Sequence, residues 1–324
     1  METILESPNH NRSTAFIFPG QGSQHIGMGR ELYDNFAEAR ETFAEADDAL
    51  GEKLSAICFS GSPEELNQTA NTQPAILTVS IAAYRVLSRK LDLRPVMAAG
   101  HSLGEYSALV AAGTLSFADA IRIVRARGRF MQSAVPVGLG TMAAVMGIKA
   151  QQIIEICNES SNPAQDKIVE PANFNCPGQI VISGHVPAIM EAGEKAQQAG
   201  ASRVVKLPVS APFHCSLMRP AAEKLAERFA DVQVREPAIP IISNVDAETN
   251  YHIDSVRHLL IKQVSSAVRW EESMQLAVSQ GVTRVIELGP GRVLSGLMRR
   301  INRQIKTMNL ATCQDLDDII ENCA

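Results

Sequence analysis

The segment Gly100-His101-Ser102-Leu103-Gly104 has the spacing G-x-S-x-G. A serine placed this way between a buried strand and a helix stands on a sharp turn with its hydroxyl exposed, ready to attack an acyl group. The glycines are required because the turn is tight and the following helix comes close. That helix's N-terminus offers N–H groups and a dipole that favour the negative charge developing on an attacked carbonyl. The Leu103 N–H is the natural oxyanion donor. The alternative is a tight turn in which Ser102 only caps the helix.

A serine nucleophile needs a base. Histidines stand at 10, 25, 101, 185, 214, 252 and 258. His10 lies in the N-terminal tail and His185 on a turn of the middle segment. His101 adjoins Ser102, so its ring is expected to pack beneath the turn. His214, in Ser210-Ala211-Pro212-Phe213-His214-Cys215-Ser216, lies after a strand and before a helix, where catalytic groups gather. It is the candidate base, against the alternative of a capped or core histidine. The acids between the two are Glu105, Asp119, Glu155, Glu159, Asp166, Glu170, Glu191 and Glu194, and none falls at an evident strand end of the large domain. The pattern therefore predicts that a main-chain or amide oxygen orients His214. Such a base suits a thiolate leaving group, which unlike an amine needs little protonation.

Two further segments bear on the same chemistry. Phe18-Pro19-Gly20-Gln21-Gly22-Ser23-Gln24 is too short for a phosphate-binding loop and lacks its GK[ST] ending. As a glycine-rich turn at a strand end it is either a plain turn or a source of N–H groups that complete an oxyanion hole. Arg127, in Arg125-Ala126-Arg127-Gly128-Arg129, is either a solvated helix residue or an inward-facing fork suited to a carboxylate.

The elements that must position these residues follow from hydrophobic rhythm. Short apolar runs at 15–18, 95–99, 240–243, 284–288 and 305–310 read as buried strands, and amphipathic stretches at 28–50, 72–91, 116–134, 217–229, 255–263, 270–280 and 292–302 read as helices. This alternation predicts an α/β fold with a mostly parallel sheet covered on both faces. Between 138 and 207 the order becomes β-α-β-β-α-β, the pattern of a ferredoxin-like unit. The large domain is thus expected to be discontinuous, 14–137 with 208–324, after a disordered tail over 1–13.

Composition narrows the partners. The 324 residues hold 30 Lys and Arg against 35 Asp and Glu, net −5, so no basic excess points to nucleic acid. The best apolar run, 75–84, is about half of the ~18 residues a membrane span needs. The polar N-terminus lacks the layout of a signal peptide, which makes the cytoplasm the default compartment. Cysteines 58, 157, 176, 215, 313 and 323 form no CxxC pair and read as free thiols, neither a disulfide framework nor a zinc site.

Taken in order, the 18–24 and 100–105 segments, Arg127 and Pro212-Phe213-His214-Cys215-Ser216-Leu217-Met218 resemble the malonyl-CoA:acyl-carrier-protein transacylase family. That family includes the fatty-acid-synthesis enzyme and the free-standing acyltransferases of polyketide synthases. The resemblance spans about 15–310 and extends to 172–179, Ser243-Asn244-Val245-Asp246 and Glu287-Leu288-Gly289-Pro290-Gly291. It implies an α/β-hydrolase-like domain with a ferredoxin-like insert. It also implies ping-pong transfer of a malonyl group from malonyl-CoA to an acyl carrier protein, by a monomer with no metal or redox cofactor. Ser102 would be the nucleophile and His214 the base. The N–H groups of Gln21 and Leu103 would hold the oxyanion, and Arg127 would pair with the malonyl carboxylate. Gln263 matches the position whose main-chain oxygen orients the histidine. Asn244 lies on a second loop on the same side, and Asn175 matches a position near the thioester arm. Phe213 would crowd an α-methyl group, which predicts malonyl over methylmalonyl. An acyl hydrolase is the rival within enzymes, and Arg127 argues for transfer because neutral acyl chains have no use for it. A non-catalytic docking subunit would have lost Ser102 or His214. Arg299, Arg300, Arg303 and Lys306 form the densest basic stretch, either a solvated helix end or a patch for an acidic carrier.

Overall fold

A computed structural model describes residues 13–209, 211–249 and 251–323. The tail expected over 1–13 therefore lies, apart from Ser13, outside the described residues. The strands, in chain order, are β1 Thr14–Phe18, β2 Met97–Gly100, β3 Gly140–Met146, β4 Val169–Cys176, β5 Gln179–His185, β6 Arg203–Lys206, β7 Ile241–Ile242, β8 Arg284–Leu288 and β9 Lys306–Leu310. They form two sheets. The larger, in order β7-β2-β1-β8-β9, is parallel throughout. The smaller, in order β4-β5-β3-β6, is antiparallel throughout.

Strands β1, β2 and β8 are buried at every residue, which is why they read as apolar runs without alternation. Phe16, Phe18, Ala98, Ile286 and Leu288 face one core, and Ala15, Ile17, Met97, Ala99 and Val285 face a second on the opposite side. In the smaller sheet β3 divides its side chains by the period of two. Ala143 and Val145 face the helices Ala150–Ser160 and Val186–Gln198, while Met142 and Ala144 join the main core.

One register positions the chemistry. Phe18 pairs with Gly100 across β1 and β2, and the His101 N–H donates to the Phe18 carbonyl at 3.0 Å. The turns that follow the two strands, one carrying Gln21 and the other Ser102, are thereby held side by side at the C-terminal edge of the parallel sheet.

The structure departs from the expected elements at three places. The helix expected over 28–50 is two, Arg30–Asn35 and Ala37–Leu50, broken where Phe36 turns extended (φ −126°, ψ 135°) with its ring under the Lys90 ammonium. That change of direction serves tertiary packing, which periodicity does not carry. Helices Leu54–Ser60 and Pro63–Leu66 had no sequence signal because each is too short to show a full apolar stripe. The strand expected over 240–243 shrinks to the two-residue edge β7.

Candidate active site

Ser102 sits on a left-handed turn (φ 51°) between β2 and the helix Gly104–Ala111. A non-glycine residue there is strained, as a nucleophile elbow requires. The flanking glycines are steric necessities. A Cβ on Gly100 would stand 1.9 Å from the Gly104 carbonyl carbon, and one on Gly104 would stand 2.0 Å from the Phe18 carbonyl oxygen. Both obstacles are backbone, so relief requires moving a strand. Gly104→Ala is expected to lose about 3 kcal/mol or more of stability, the upper range for overpacking. Chemical denaturation checks this, and an unchanged midpoint would contradict the close approach.

His214 also adopts a left-handed backbone (φ 60°) and is buried. Its Nε2 lies 2.7 Å from Ser102 Oγ, so the serine hydroxyl can donate to it. On the far side of the ring, Nδ1 donates to the Gln263 carbonyl at 2.9 Å and the Ser266 carbonyl at 3.2 Å. Both partners are acceptors only, which fixes the tautomer: Nδ1 carries the proton and Nε2 is free to take one. The loop is anchored by Glu170, which accepts from the Ser216 N–H at 2.8 Å and the Ser216 hydroxyl at 2.6 Å. Glu170 thus serves the loop and not the imidazole. Burial, and next the Arg127 charge, push His214 down to about 3, against the two carbonyls that favour its charged form. The imidazole is therefore neutral near pH 7. The acid limb of kcat/KM for acylation, which reports the free enzyme, is expected below pH 5 rather than near the ordinary ~6.5. A loss of kcat/KM on the acid side with an inflection near 6.5, absent in His214 variants, would contradict this.

Arg127 faces inward. It is 1% exposed, on the helix Phe117–Ser133, and stacks over the Tyr106 ring at 5.6 Å. Nη1 donates to Gln73 Oε1 at 2.8 Å; Nη2 donates to Gln263 Oε1 at 2.8 Å and to Ser102 Oγ at 3.1 Å. Nε is buried with no hydrogen-bond partner. A guanidinium beside Ser102 with an unspent donor has the charge and shape to receive an anionic group.

The backbone N–H groups around the two turns divide into bonded and free ones. Asn244 Oδ1 takes the Ser102 N–H at 2.7 Å, while its Nδ2 donates to the Gly100 carbonyl at 2.7 Å. Asn244 therefore pins the elbow and removes the Ser102 N–H from use. The N–H groups of Leu103 and Gln21 have no protein partner among the described residues. Gln21 is held by its side chain, whose Nε2 reaches Thr69 Oγ1 at 3.5 Å. Asn175 accepts from His101 Nε2 at 2.9 Å, and the His101 ring packs 5.6 Å from that of the buried Trp270.

Ser102, His214, Arg127, Gln21, Leu103 and Phe213 line one cavity of about 100 Å³, closed by Gln73, Met131, Met142, Leu207 and Val209. Larger grooves of about 470 Å³ open elsewhere, one lined by Arg122, Arg125 and Arg129, but they hold no paired nucleophile and base. Gln263 and Asn244 stand behind the cavity wall, and Asn175 reaches it only through His101. Gln73 and Glu105 are the buried polar residues that sequence reasoning missed. Glu105 was in view as an acid but was judged by strand ends, whereas it follows the elbow on the helix beneath. Its place in the run Gly-His-Ser-Leu-Gly-Glu, three residues past Ser102, was the available signal.

The basic stretch lies on the helix Val293–Ile301 and beyond. Arg299 donates to Thr307 Oγ1, Arg300 to Gln179 Oε1 and the Pro177 carbonyl, and Lys306 to Asn322 Oδ1. Among the described residues no three His, Cys, Asp or Glu group to hold a metal ion, and no helix is long and apolar enough to cross a membrane.

Comparison with known proteins places this geometry. The acyl transferase domain family matches residues 15–316. The chain is 48% identical over 287 residues to the malonyl CoA-acyl carrier protein transacylase of Escherichia coli K12, covering 89% of this chain and 92% of that one. It is similar to the crystal structure of an acyl carrier protein S-malonyltransferase from Vibrio cholerae, with a TM-score of 0.91, 44% identity, and coverage of 95% and 99%. It is similar, too, to a malonyl-transacylase solved in complex with its type II PKS acyl-carrier protein, with a TM-score of 0.92, 44% identity, and coverage of 96% and 99%.

Proposed function

The chain belongs to the acyl transferase domain family and moves malonyl groups from malonyl-CoA to acyl carrier protein; we propose that it does so through an ester on Ser102. The observation that carries this reading is Arg127, buried and donating to Ser102 Oγ beside the Ser102–His214 pair. Ser102 Oγ attacks the thioester carbonyl while its proton passes to His214 Nε2. The Gln21 and Leu103 N–H groups receive the oxyanion. The tetrahedral adduct collapses, the thiolate of CoA leaves, and the proton on His214 goes to it. In the second half the phosphopantetheine thiol of the carrier gives its proton to His214 and attacks the ester, and Ser102 regains its hydrogen.

Arg127 gives this cycle its substrate class. The malonyl carboxylate takes over the Nη2 donor that in the empty site meets Ser102 Oγ and engages the unpartnered Nε beside it, while Nη1 stays on Gln73. That carboxylate also offsets the arginine charge that depresses His214, so the base strengthens when the right acyl group is present. Every proton and electron pair is accounted for by Ser102, His214 and the two thiols, so we assign no cofactor to the reaction. We further read the enzyme as a cytoplasmic monomer, with 138–207 a subdomain inserted in a catalytic domain of 14–137 and 208–324.

Phe213 lines the cavity next to the base and is nearly buried. A ring there crowds an α-methyl group. Phe213→Ser is expected to raise the methylmalonyl-to-malonyl ratio of kcat/KM by about 10-fold, since one methyl is worth ~1–3 kcal/mol in such a pocket. An unchanged ratio in competition assays would remove Phe213 from selectivity.

The experiment that tests the whole reading is intact-mass spectrometry of the protein with malonyl-CoA, followed by phosphopantetheinylated carrier protein. A malonyl adduct that passes to the carrier is the expected result. Free CoA and malonate without transfer would instead make the protein a hydrolase.

A further inference from the structure

Glu105 is fully buried directly beneath the site. Its Oε2 accepts from Gln263 Nε2 at 2.8 Å and from the Asn244 N–H at 3.1 Å, and its Oε1 accepts from the Tyr251 hydroxyl. Gln263 in turn accepts from Arg127 Nη2 at 2.8 Å, so one side-chain amide joins the buried carboxylate to the buried guanidinium. We propose that Glu105 is the countercharge of Arg127 in the empty enzyme and takes up a proton when a carboxylate-bearing acyl group is loaded beside that arginine. It is a positioning residue, acting through Gln263 and Arg127 and touching no substrate atom. The inference rests on reading Ser102 as the acyl carrier and Arg127 as the carboxylate receptor.

Buried charge drives the exchange. In the empty site the groups around Glu105 are Arg127, Tyr251 and Tyr106, with Asp246 beyond Tyr251 and His214 beyond Arg127. Burial raises both tyrosines above their ordinary range and lowers His214, so all three are neutral near pH 7. Above pH 7, where Glu105 is ionised, Arg127 and Glu105 then balance. A malonyl group adds one negative charge to this dry region, and a net buried charge is costly unless a group neutralises. The malonyl carboxylate sits directly on the guanidinium and is the better partner. Glu105 is one amide further away and is already pushed up to about 7 by its burial. Its new proton has a place, because the Tyr251 hydroxyl can turn from donor to acceptor. Gln263 keeps its amide oxygen on Arg127 throughout, so the histidine-orienting carbonyl of the same residue does not move.

Acylation itself exchanges no proton with solvent: a hydroxyl and a thioester become an ester and a thiol. Any uptake therefore reports a group of the protein. Wild-type enzyme mixed with malonyl-CoA in indicator-buffered solution, with the adduct counted by intact mass in the same sample, is expected to take up close to one proton per malonyl-enzyme at pH 8. At pH 6, where Glu105 is already protonated, the figure falls to roughly a tenth. The adduct formed from acetyl-CoA is expected to take up none. In steady state the KM for malonyl-CoA is expected to rise toward 10-fold per pH unit above 7, and Glu105→Gln is expected to abolish both the uptake and that slope. Full malonyl adduct at pH 8 without uptake overturns the proposal while leaving the Ser102 ester intact. Equal uptake in Glu105→Gln also overturns it. If that variant does not fold, the wild-type contrast between malonyl and acetyl groups, and between pH 8 and pH 6, decides alone. Absence of any adduct overturns the ester reading and this proposal with it.

Discussion

Ser102→Ala is expected to leave a folded protein that forms no malonyl adduct and has lost transfer by roughly 10⁴- to 10⁶-fold, the range for removing a member of an interdependent nucleophile–base unit. The hydroxyl removed is the one 2.7 Å from His214 Nε2 and 3.1 Å from Arg127 Nη2. Its backbone role is separate: the Ser102 N–H is held by Asn244 and its carbonyl by Gln263 Nε2, and both bonds survive in alanine. Loss of function should therefore come without loss of stability. His214→Ala is expected to be comparably inactive, and the double variant little worse than either, because each group is useless without the other. Intact mass and a denaturation curve on the same preparations check this. A malonyl adduct persisting in Ser102→Ala would move the ester to another residue and end the assignment.

Arg127→Ala is expected to lower kcat/KM for malonyl-CoA by roughly 10²- to 10⁴-fold, the cost of leaving a buried carboxylate without its partner. The informative quantity is the ratio of malonyl to acetyl transfer within each variant, since general damage cancels. Removing the guanidinium also orphans Gln73 Oε1 and Gln263 Oε1, so acetyl transfer should fall somewhat too. The ratio should nonetheless collapse. Arg127→Lys is expected to recover little, because a point charge lacks the fork that spans Gln73, Gln263 and a carboxylate together. A malonyl preference undiminished in Arg127→Ala would mean the acyl carboxylate is bound elsewhere in the cavity.

Much of this protein could be read from local pattern alone. The parallel sheet showed itself as short apolar runs because its central strands are buried on both faces, and the β-α-β-β-α-β order of the small sheet followed from element type and spacing. The elbow was legible for the same reason: a nucleophile on a strand-to-helix turn needs glycines within two residues, so all its requirements are contiguous. His214 stood out by its loop, though nothing local tied it to Ser102.

Only the tertiary structure decided which polar groups meet. Ser102 is joined to residues 112, 142 and 161 positions away, in His214, Asn244 and Gln263. Whether Arg127 faces solvent or the nucleophile turns on helix rotation within the packed core, and an arginine-rich helix sequence is compatible with both. Glu105 sits on the helix after the elbow and Gln73 on the helix at 69–90, and their partners Gln263 and Arg127 come from the helices at 256–264 and 117–133, so these pairs were invisible until those helices packed together. Sequence fixes local conformation through steric and hydrophobic rules that act over a few residues. Buried polar groups must find partners wherever the fold brings them, and that pairing is a property of the packed molecule.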